Sequence, residues 1–514
     1  MPSAAPNEMP PKDGSVFVWC AVGLLVAALV ANEWVLGSFS EDGALEGSTA
    51  RLIRIAQGGL VAAAGLTFLL RARLERLFER EDRAMLVLLI LGIVLRVVVY
   101  PYLGPDNNDP HRKVVEYVVE HGWTPTAEEA TLGFQPPLYY LMASPWALGG
   151  SAKVTQLFSL LLSIANLVLL HRLIRTTRLL SDPRSRCHAF AFAALLPQFL
   201  LFGLFVSNDA LAFLVGSLIF GQFLFYIDRP TTGRLIGLGA GLGIGLLTKG
   251  TFTAFLPIAF VLVFVVGLRA GRSLPGIAAT LALLGVTSVG IGCYKFVENY
   301  VHFGTPVVSN DTLEQAWVKH QQGTVQGLSS FVDIDVPRLV RYPFASEETR
   351  HSLPLLFYGT MWYSYIHESN FDLTRRHPYT LAPRVVYVTA ILPSLLLALG
   401  FVVWFVRNIR LDRSFRAEKA VFENRLAETA IVGVLLLNLG TVLSWGIKHD
   451  AWSFFQSRLV FPAFLALALL LGFGFEALAR RFPRLGSLVN VGLLLPWIAS
   501  LAWLGLEIAG QTIL

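Results

Sequence analysis

Several charged residues sit where charge is expensive. Arg96 falls inside a long apolar run, and Asp209 follows Asn208 in a tight break between two such runs. Lys249 interrupts two more in Leu247-Thr-Lys-Gly-Thr251, and Arg458 opens another in Gln456-Ser-Arg-Leu-Val-Phe-Pro462. Ionisable groups in apolar spans are costly and tend to face a functional cavity or a partner. A fifth group lies in a polar stretch, Gly104-Pro-Asp-Asn-Asn-Asp-Pro-His111, where Asp106, Asp109 and His111 come together. Three cations beside a carboxylate suit one task. Arg and Lys would hold a phosphate at a membrane surface, and the carboxylate would take a proton from a hydroxyl. The reaction would be displacement at a phosphate-linked carbon, with the cations stabilising the departing phosphate.

Each residue also has a plainer reading. Asp109 stands just before Val114, Val115, Val118 and Val119, whose spacing predicts a short amphipathic helix on the membrane surface. Asp109 would then serve as its N-cap. Lys249 and Arg458 would snorkel, Asp209 would cap a helix, and Arg96 would snorkel or pair with an acid. The same polar stretch ends in Phe134-Gln-Pro-Pro-Leu-Tyr-Tyr140, where paired prolines force an extended or turned backbone before the next helix.

The elements that must position these residues are membrane helices. Apolar residues make up 54% of 514 positions and charged residues 15%, against roughly 25% charged in soluble domains. The apolar content is concentrated in blocks long enough to cross a bilayer, which forces them to be helical. About thirteen spans are expected, near 16–37, 55–70, 84–100, 154–171, 187–206, 209–227, 234–248, 252–268, 276–294, 384–406, 428–446, 457–478 and 488–507. The first is too long for a signal-peptide core and reads as a retained helix. The fold class is therefore an all-α polytopic membrane protein, with two long outer-face loops, 101–153 and 295–383, carrying short amphipathic helices. Short arginine-rich connectors hold more than half of the Lys and Arg. They place one side in the cytoplasm and both long loops outside. Asp109, Asp209, Lys249 and Arg458 then share the outer face, with Arg96 about one turn below. Residues 1–83 read as a two-helix N-terminal addition with a basic loop, and 84–514 as the main membrane domain.

The second long loop holds Arg338, Arg341, His351, His367 and Glu368, with dense aromatics from Phe357 to Tyr365. Those rings suit a membrane interface or a stack against sugar or lipid. His367-Glu368 lacks a second ligand at helical spacing, so a metal site is weakly indicated and a divalent cation stays open. Cys20, Cys187 and Cys293 lie in or beside apolar blocks, which argues against a disulfide framework. Gly239-Ala-Gly241-Leu-Gly243-Ile-Gly245 reads as close helix packing. No nucleotide loop, dinucleotide fingerprint or nucleophile elbow is present. The net charge of +6 reports orientation, and nucleic acid is not an expected partner.

Taken together, the aspartate-bearing first loop with its Gln-Pro-Pro-Leu-Tyr-Tyr string resembles the polytopic glycosyltransferases of the C-fold superfamily. The group of protein mannosyltransferases and aminoarabinose transferases is most similar in style. Ser207-Asn-Asp-Ala-Leu-Ala212, Leu246-Leu-Thr-Lys-Gly250 and Gln456-Ser-Arg-Leu-Val-Phe-Pro462 support the likeness, which extends over about residues 84–480. The resemblance implies transfer of a sugar from a polyprenyl-phosphate donor to a glycan, lipid or protein acceptor on the outer face. It implies Asp109, or else Asp106, as base, and Arg458 on the donor phosphate. Many relatives carry an Asp-Glu pair where this chain has Asn107 and Asn108 before Asp109. Arg96 and Lys249 would join Arg458, while His111, Gln135, Tyr139 and Asp209 would shape the pocket. Two rivals stay open: an outer-face glycan polymerase or ligase using lipid diphosphates through Arg338, Arg341 and His351, and a lipid or solute transporter. With no organelle retention signal, a bacterial plasma membrane is the expected location.

Overall fold

The computed structural model describes residues 81–106, 109–177, 179–308, 327–343, 351–363, 381–409, 418–448 and 456–513, with isolated positions elsewhere. Among these residues the secondary structure is helical throughout, with no strand. Among the described residues, eight stretches are long and apolar enough to cross a membrane, and Thr232–Thr248 is a shorter apolar helix. An all-helical membrane architecture is therefore borne out. The expected spans 16–37 and 55–70 lie almost wholly outside the described residues, as do His367 and Glu368.

Contacts divide the chain into two units. One comprises residues 1–86 with 478–495, the other 87–477 with 496–514. In the first, a Cβ on Gly486 would meet Ala479 Cα at 2.7 Å, so only glycine lets the chain fold back there. The second unit contains every described residue of the candidate site.

Its helices in chain order begin with α1 (Glu81–Val99), α2 (His111–His121), α3 (Leu138–Ala147), α4 (Ala152–Thr176), α5 (Pro183–Leu195) and α6 (Pro197–Phe202). There follow α7 (Asn208–Asp228), α8 (Thr232–Thr248), α9 (Phe255–Arg269), α10 (Leu274–Gly292) and α11 (Tyr294–Phe303). The later part holds α12 (Leu328–Val332), α13 (Val336–Arg341), α14 (Leu353–Trp362), α15 (Leu381–Asn408), α16 (Lys419–Lys448) and α17 (Phe464–Arg481). Short 3-10 segments, Gly250–Ala254 and Ser457–Ala463, lead into α9 and α17.

Burial sorts the spans. The stretch Ser457–Arg481 is 94% buried and sits at the centre, whereas Leu274–Gly292 is only 17% buried and turns most of its surface outward. Exposed Val286, Val289 and Ile291 on that rim are what a lipid-facing helix requires. The glycines of α8 pack as their pattern suggested. A Cβ on Gly239 would lie 2.8 Å from Thr287 Cβ, and one on Gly243 2.6 Å from Ile291 Cβ, so α8 and α10 touch nearly backbone to backbone.

One expectation is corrected. The stretch 187–206 is not one span: it breaks at Leu196, which is extended (ψ 115°) ahead of Pro197. Proline disfavours the helical region for the residue before it and cannot donate into the preceding turn. In the described part of the aromatic run, Phe357 and Tyr358 are half-buried, whereas Trp362 and Tyr363 face inward. Trp362 is fully buried in α14 and meets the rings of Phe192 and Trp497 at a tilt.

Candidate active site at the helix ends

Three chain breaks deliver three charges to one place. Ser207 (φ −155°, ψ 149°) caps α7, its Oγ accepting from Asp209 N at 3.2 Å. That cap contributes roughly 1 kcal/mol to the helix. It also sets Asp209 in the first turn, where the helix dipole favours a carboxylate. Lys249 is extended (φ −160°, ψ 143°) between α8 and the 3-10 turn, so its side chain leaves the helix end sideways. Arg458 lies in the 3-10 turn before α17, whose first amide, Ser457 N, donates to Thr360 Oγ1 of α14 at 2.9 Å.

These side chains form a continuous chain of charge. Lys249 Nζ donates to Asp209 Oδ1. Arg458 Nη1 donates to Asp209 Oδ2 at 3.3 Å, and Arg458 Nη2 donates to Asp109 Oδ2 at 2.6 Å. Asp209 is fully buried and Arg458 nearly so, whereas the Asp109 side chain is 38% exposed. The cluster thus has an enclosed end and an open one, and Asp109 is at the opening. The Arg458 guanidinium also lies 4.8 Å from the Phe202 ring, and its Nε is buried without a partner.

His111 closes the other flank of Asp109. Its Nε2 is 3.9 Å from Asp109 Oδ2, and its Nδ1 shares a hydrogen bond with Tyr140 Oη at 2.8 Å. Burial pulls the imidazole down to about 4 despite the neighbouring carboxylates of Asp109 and Asp209, so it is neutral at neutral pH. For Asp109, the buried setting would push the carboxyl up. The charges of Arg458, His111 and Lys249 and the Arg458 hydrogen bond outweigh it and hold the group at about 2.

The capping reading of Asp109 does not hold. The N-cap of α2 is Pro110, with no side-chain hydrogen bond, and Asp109 turns its carboxylate to Arg458 instead. Helix α2 itself buries Val114, Val115 and Val118 and packs on α3. Asp106 is engaged elsewhere, accepting from Arg112 Nε at 3.0 Å on an exposed surface. Arg96 is fully buried in α1, donating to Ser163 Oγ at 3.0 Å, Gly92 O at 2.9 Å and Ala194 O at 3.2 Å. It therefore clamps α1 to α4 and α5, and its hydrogen bonds do not join the charge chain. Gln135 accepts from Asn208 Nδ2 at 3.3 Å, which ties the Gln-Pro-Pro string to the start of α7. Tyr139 is buried against Ser159, its Oη 2.8 Å from Ser159 Oγ.

Sequence reasoning missed the residues that hold the loop. Lys153 Nζ donates to Tyr100 O at 3.1 Å and reaches Leu103 O at 2.5 Å. Gln156, fully buried, donates to Leu103 O and Gly104 O at 3.2 and 3.1 Å, and Val206 N donates to Pro105 O at 2.8 Å. These donors satisfy main-chain carbonyls that would otherwise be stranded away from water. Their only sequence signal was polar character at the start of an apolar span. In the second loop, Arg338 is bound to Asp333 at 2.7 Å and Asp335 at 3.3 Å, which makes it a local clamp. No group of three His, Cys, Asp or Glu side chains assembles among the described residues.

Comparison with known proteins bears on the segment carrying Gln135, Asp209 and Lys249. Residues 135–291 match the family of dolichyl-phosphate-mannose-protein mannosyltransferases. Over that segment the resemblance read from the sequence is borne out. No curated protein matches the chain. Among solved structures, the apo oligosaccharyltransferase of Archaeoglobus fulgidus aligns at 13% identity and TM-score 0.45, covering 84% of this chain and 56% of that one. The present chain thus spans little more than half of that enzyme's length. ArnT from Cupriavidus metallidurans bound to undecaprenyl phosphate aligns at 15% identity and TM-score 0.35, over 78% of this chain and 79% of that one.

Proposed function

We propose that this protein is a glycosyltransferase that moves a sugar from a polyprenyl-phosphate donor to an acceptor hydroxyl on the non-cytoplasmic face of the membrane. One observation carries the reading: a half-open carboxylate, Asp109, held directly by an arginine that is itself backed by a buried carboxylate and a lysine. Asp109 removes the acceptor proton. The acceptor oxygen forms a bond to the anomeric carbon while the bond from that carbon to the phosphate oxygen breaks, and the polyprenyl phosphate leaves with the electron pair. Arg458 and Lys249 receive the phosphate charge, Asp209 holds both cations in place, and His111 and Gln135 shape the wall. Arg96 acts as a structural clamp.

In this arrangement Asp109, held at about 2, is ionised yet a poor base, since general bases work best with a pKa near the operating pH. A donor phosphate competing for Arg458 loosens its grip on Asp109 and makes the carboxylate more basic. The base is thus armed only when the donor is present, which limits futile chemistry.

The test is transfer by purified protein from a radiolabelled polyprenyl-phosphate sugar. Asp109→Asn should lower the rate by at least about a thousandfold, the upper part of the range for general-base loss, with membrane insertion unchanged and the thermal midpoint lowered only as loss of its ion pair with Arg458 requires. Full activity in that variant would remove Asp109 as base. A lipid-flipping assay on the same preparation distinguishes a transporter, which would move lipid without transferring sugar.

A further inference from the structure

A second polar site lies at the other end of the same helices. Roughly 25 Å along α7 from Asp209, the end of α7, the start of α8 and the start of α10 enclose a cleft of about 180 Å3. Its polar lining is Tyr226, Thr231, Thr232, Arg272 and Thr280, with Leu235 and Leu283 supplying apolar wall. Tyr226 is 1% exposed, and the group beside its hydroxyl is the Arg272 guanidinium, which can only donate, so the hydroxyl proton meets no acceptor. Buried hydroxyls are nearly always satisfied, so an orphan proton lining a cavity marks a missing acceptor.

The Arg272 guanidinium lies beside that hydroxyl. It donates to Thr280 Oγ1 at 3.2 Å and to Pro230 O at 3.0 Å, both uncharged acceptors. The carboxylate at this end of α7, Asp228, is paired with Arg234 at 3.2 Å and Arg229 at 3.7 Å. Positive charge and hydroxyl donors therefore converge on the cleft without a counter-charge of their own. The space equals that of about six liquid waters, which suits a tetrahedral anion and a short attached fragment. A group with several acceptor oxygens matches a guanidinium and a set of hydroxyls better than a single carbonyl does.

We propose that this cleft binds a phosphate group. Leu274, 70% exposed, and Ile236, 45% exposed, lie within two residues of the lining residues Arg272 and Leu235 in the chain, and exposed apolar side chains there suit acyl chains, which favours a phosphate carried by a lipid headgroup over one free in solution. The site is independent of the transfer chemistry at Asp109.

The experiment uses the full chain purified in detergent, as wild type, Tyr226→Phe and Arg272→Gln. Each is titrated with phosphatidylglycerol, with diacylglycerol of the same chains, and with inorganic phosphate, reading bound adducts by native mass spectrometry and the thermal midpoint. Tyr226→Phe removes only the one hydroxyl and keeps the ring, so it should fold even if Arg272→Gln loosens the α7–α10 corner. Binding of phosphatidylglycerol but not diacylglycerol, weakened about tenfold by Tyr226→Phe, supports a lipid headgroup. Binding of inorganic phosphate with the same loss supports a free-phosphate site. The proposal is overturned if diacylglycerol binds as well as phosphatidylglycerol, if Tyr226→Phe binds like wild type, or if neither phosphate probe binds.

Discussion

Arg458 offers two nitrogens to two carboxylates, one buried and one half-open. A planar guanidinium can serve both at once, whereas an ammonium is a single point charge on a flexible stem. Arg458→Lys should therefore keep the charge balance and the fold while losing the bridge. Transfer should fall at least about tenfold with a raised KM for donor, as expected for loss of one charge-assisted contact. Arg458→Ala is a different experiment: it strands the buried Asp209 with Lys249 alone and should cost about 3–5 kcal/mol of stability. His111 gives a pH signature. Its imidazole falls from an ordinary 6.5 to about 4 because it is buried. Between those values the unfolded chain binds a proton that the folded chain refuses. Its contribution is complete above 6.5 and is lost as pH falls toward 4, by up to about 3 kcal/mol. Asp109, lowered from 3.8 to about 2, adds a second loss only at still lower pH. Denaturant unfolding from pH 7 to 4 should show the first slope in wild type and a flatter one in His111→Gln; equal slopes would mean that His111 does not titrate as the fold demands.

At the scale of elements, the site depends on close approaches between helices more than on any helix alone. A Cβ on Gly216, midway along α7, would meet Pro462 O at 2.0 Å in the turn that carries Arg458. A carbonyl cannot rotate away as a side chain can, so Gly216→Ala must push the turn off α7. A lower thermal midpoint and, on the proposed function, weaker donor binding are expected together, and an unchanged protein would show that the turn has slack. Contacts of this kind explain what the sequence could and could not reveal. Apolar blocks, the helix after Asp109 and the glycine face of α8 follow from local composition and period, and all three appear in the structure. Asp209, Lys249 and Arg458 stood out because charge inside an apolar run is costly. Arg96 stood out for the same reason, but its acceptors are backbone carbonyls and Ser163, which no spacing rule announces. The break at Leu196 was legible in Pro197, yet apolar content on both sides disguised it. Lys153 and Gln156 were illegible because their partners are main-chain oxygens some fifty residues away.

The whole molecule turns these local arrangements into a direction across the membrane. Asp209 begins α7 and Lys249 follows α8, so the two helices run oppositely and both reach the same end. At the other end lie Arg229, Arg234, Arg269 and Arg272, around the connectors that join α7 to α8 and α9 to α10. Basic short connectors favour the cytoplasm, and on the proposed function the Asp109 cluster would face the opposite side, where a polyprenyl-linked sugar would have to be presented. The orientation can be read by cysteine labelling in a chain whose Cys20, Cys187 and Cys293 are first replaced by serine or alanine. Lys113 is exposed on α2 at the site end. Gly233 is exposed at the start of α8, with nothing within 4 Å of an added Cβ. A membrane-impermeant maleimide applied to intact cells should modify Lys113→Cys and leave Gly233→Cys untouched until the membrane is opened. The reverse pattern would turn the site toward the cytoplasm and would require the donor lipid to present its sugar on that side.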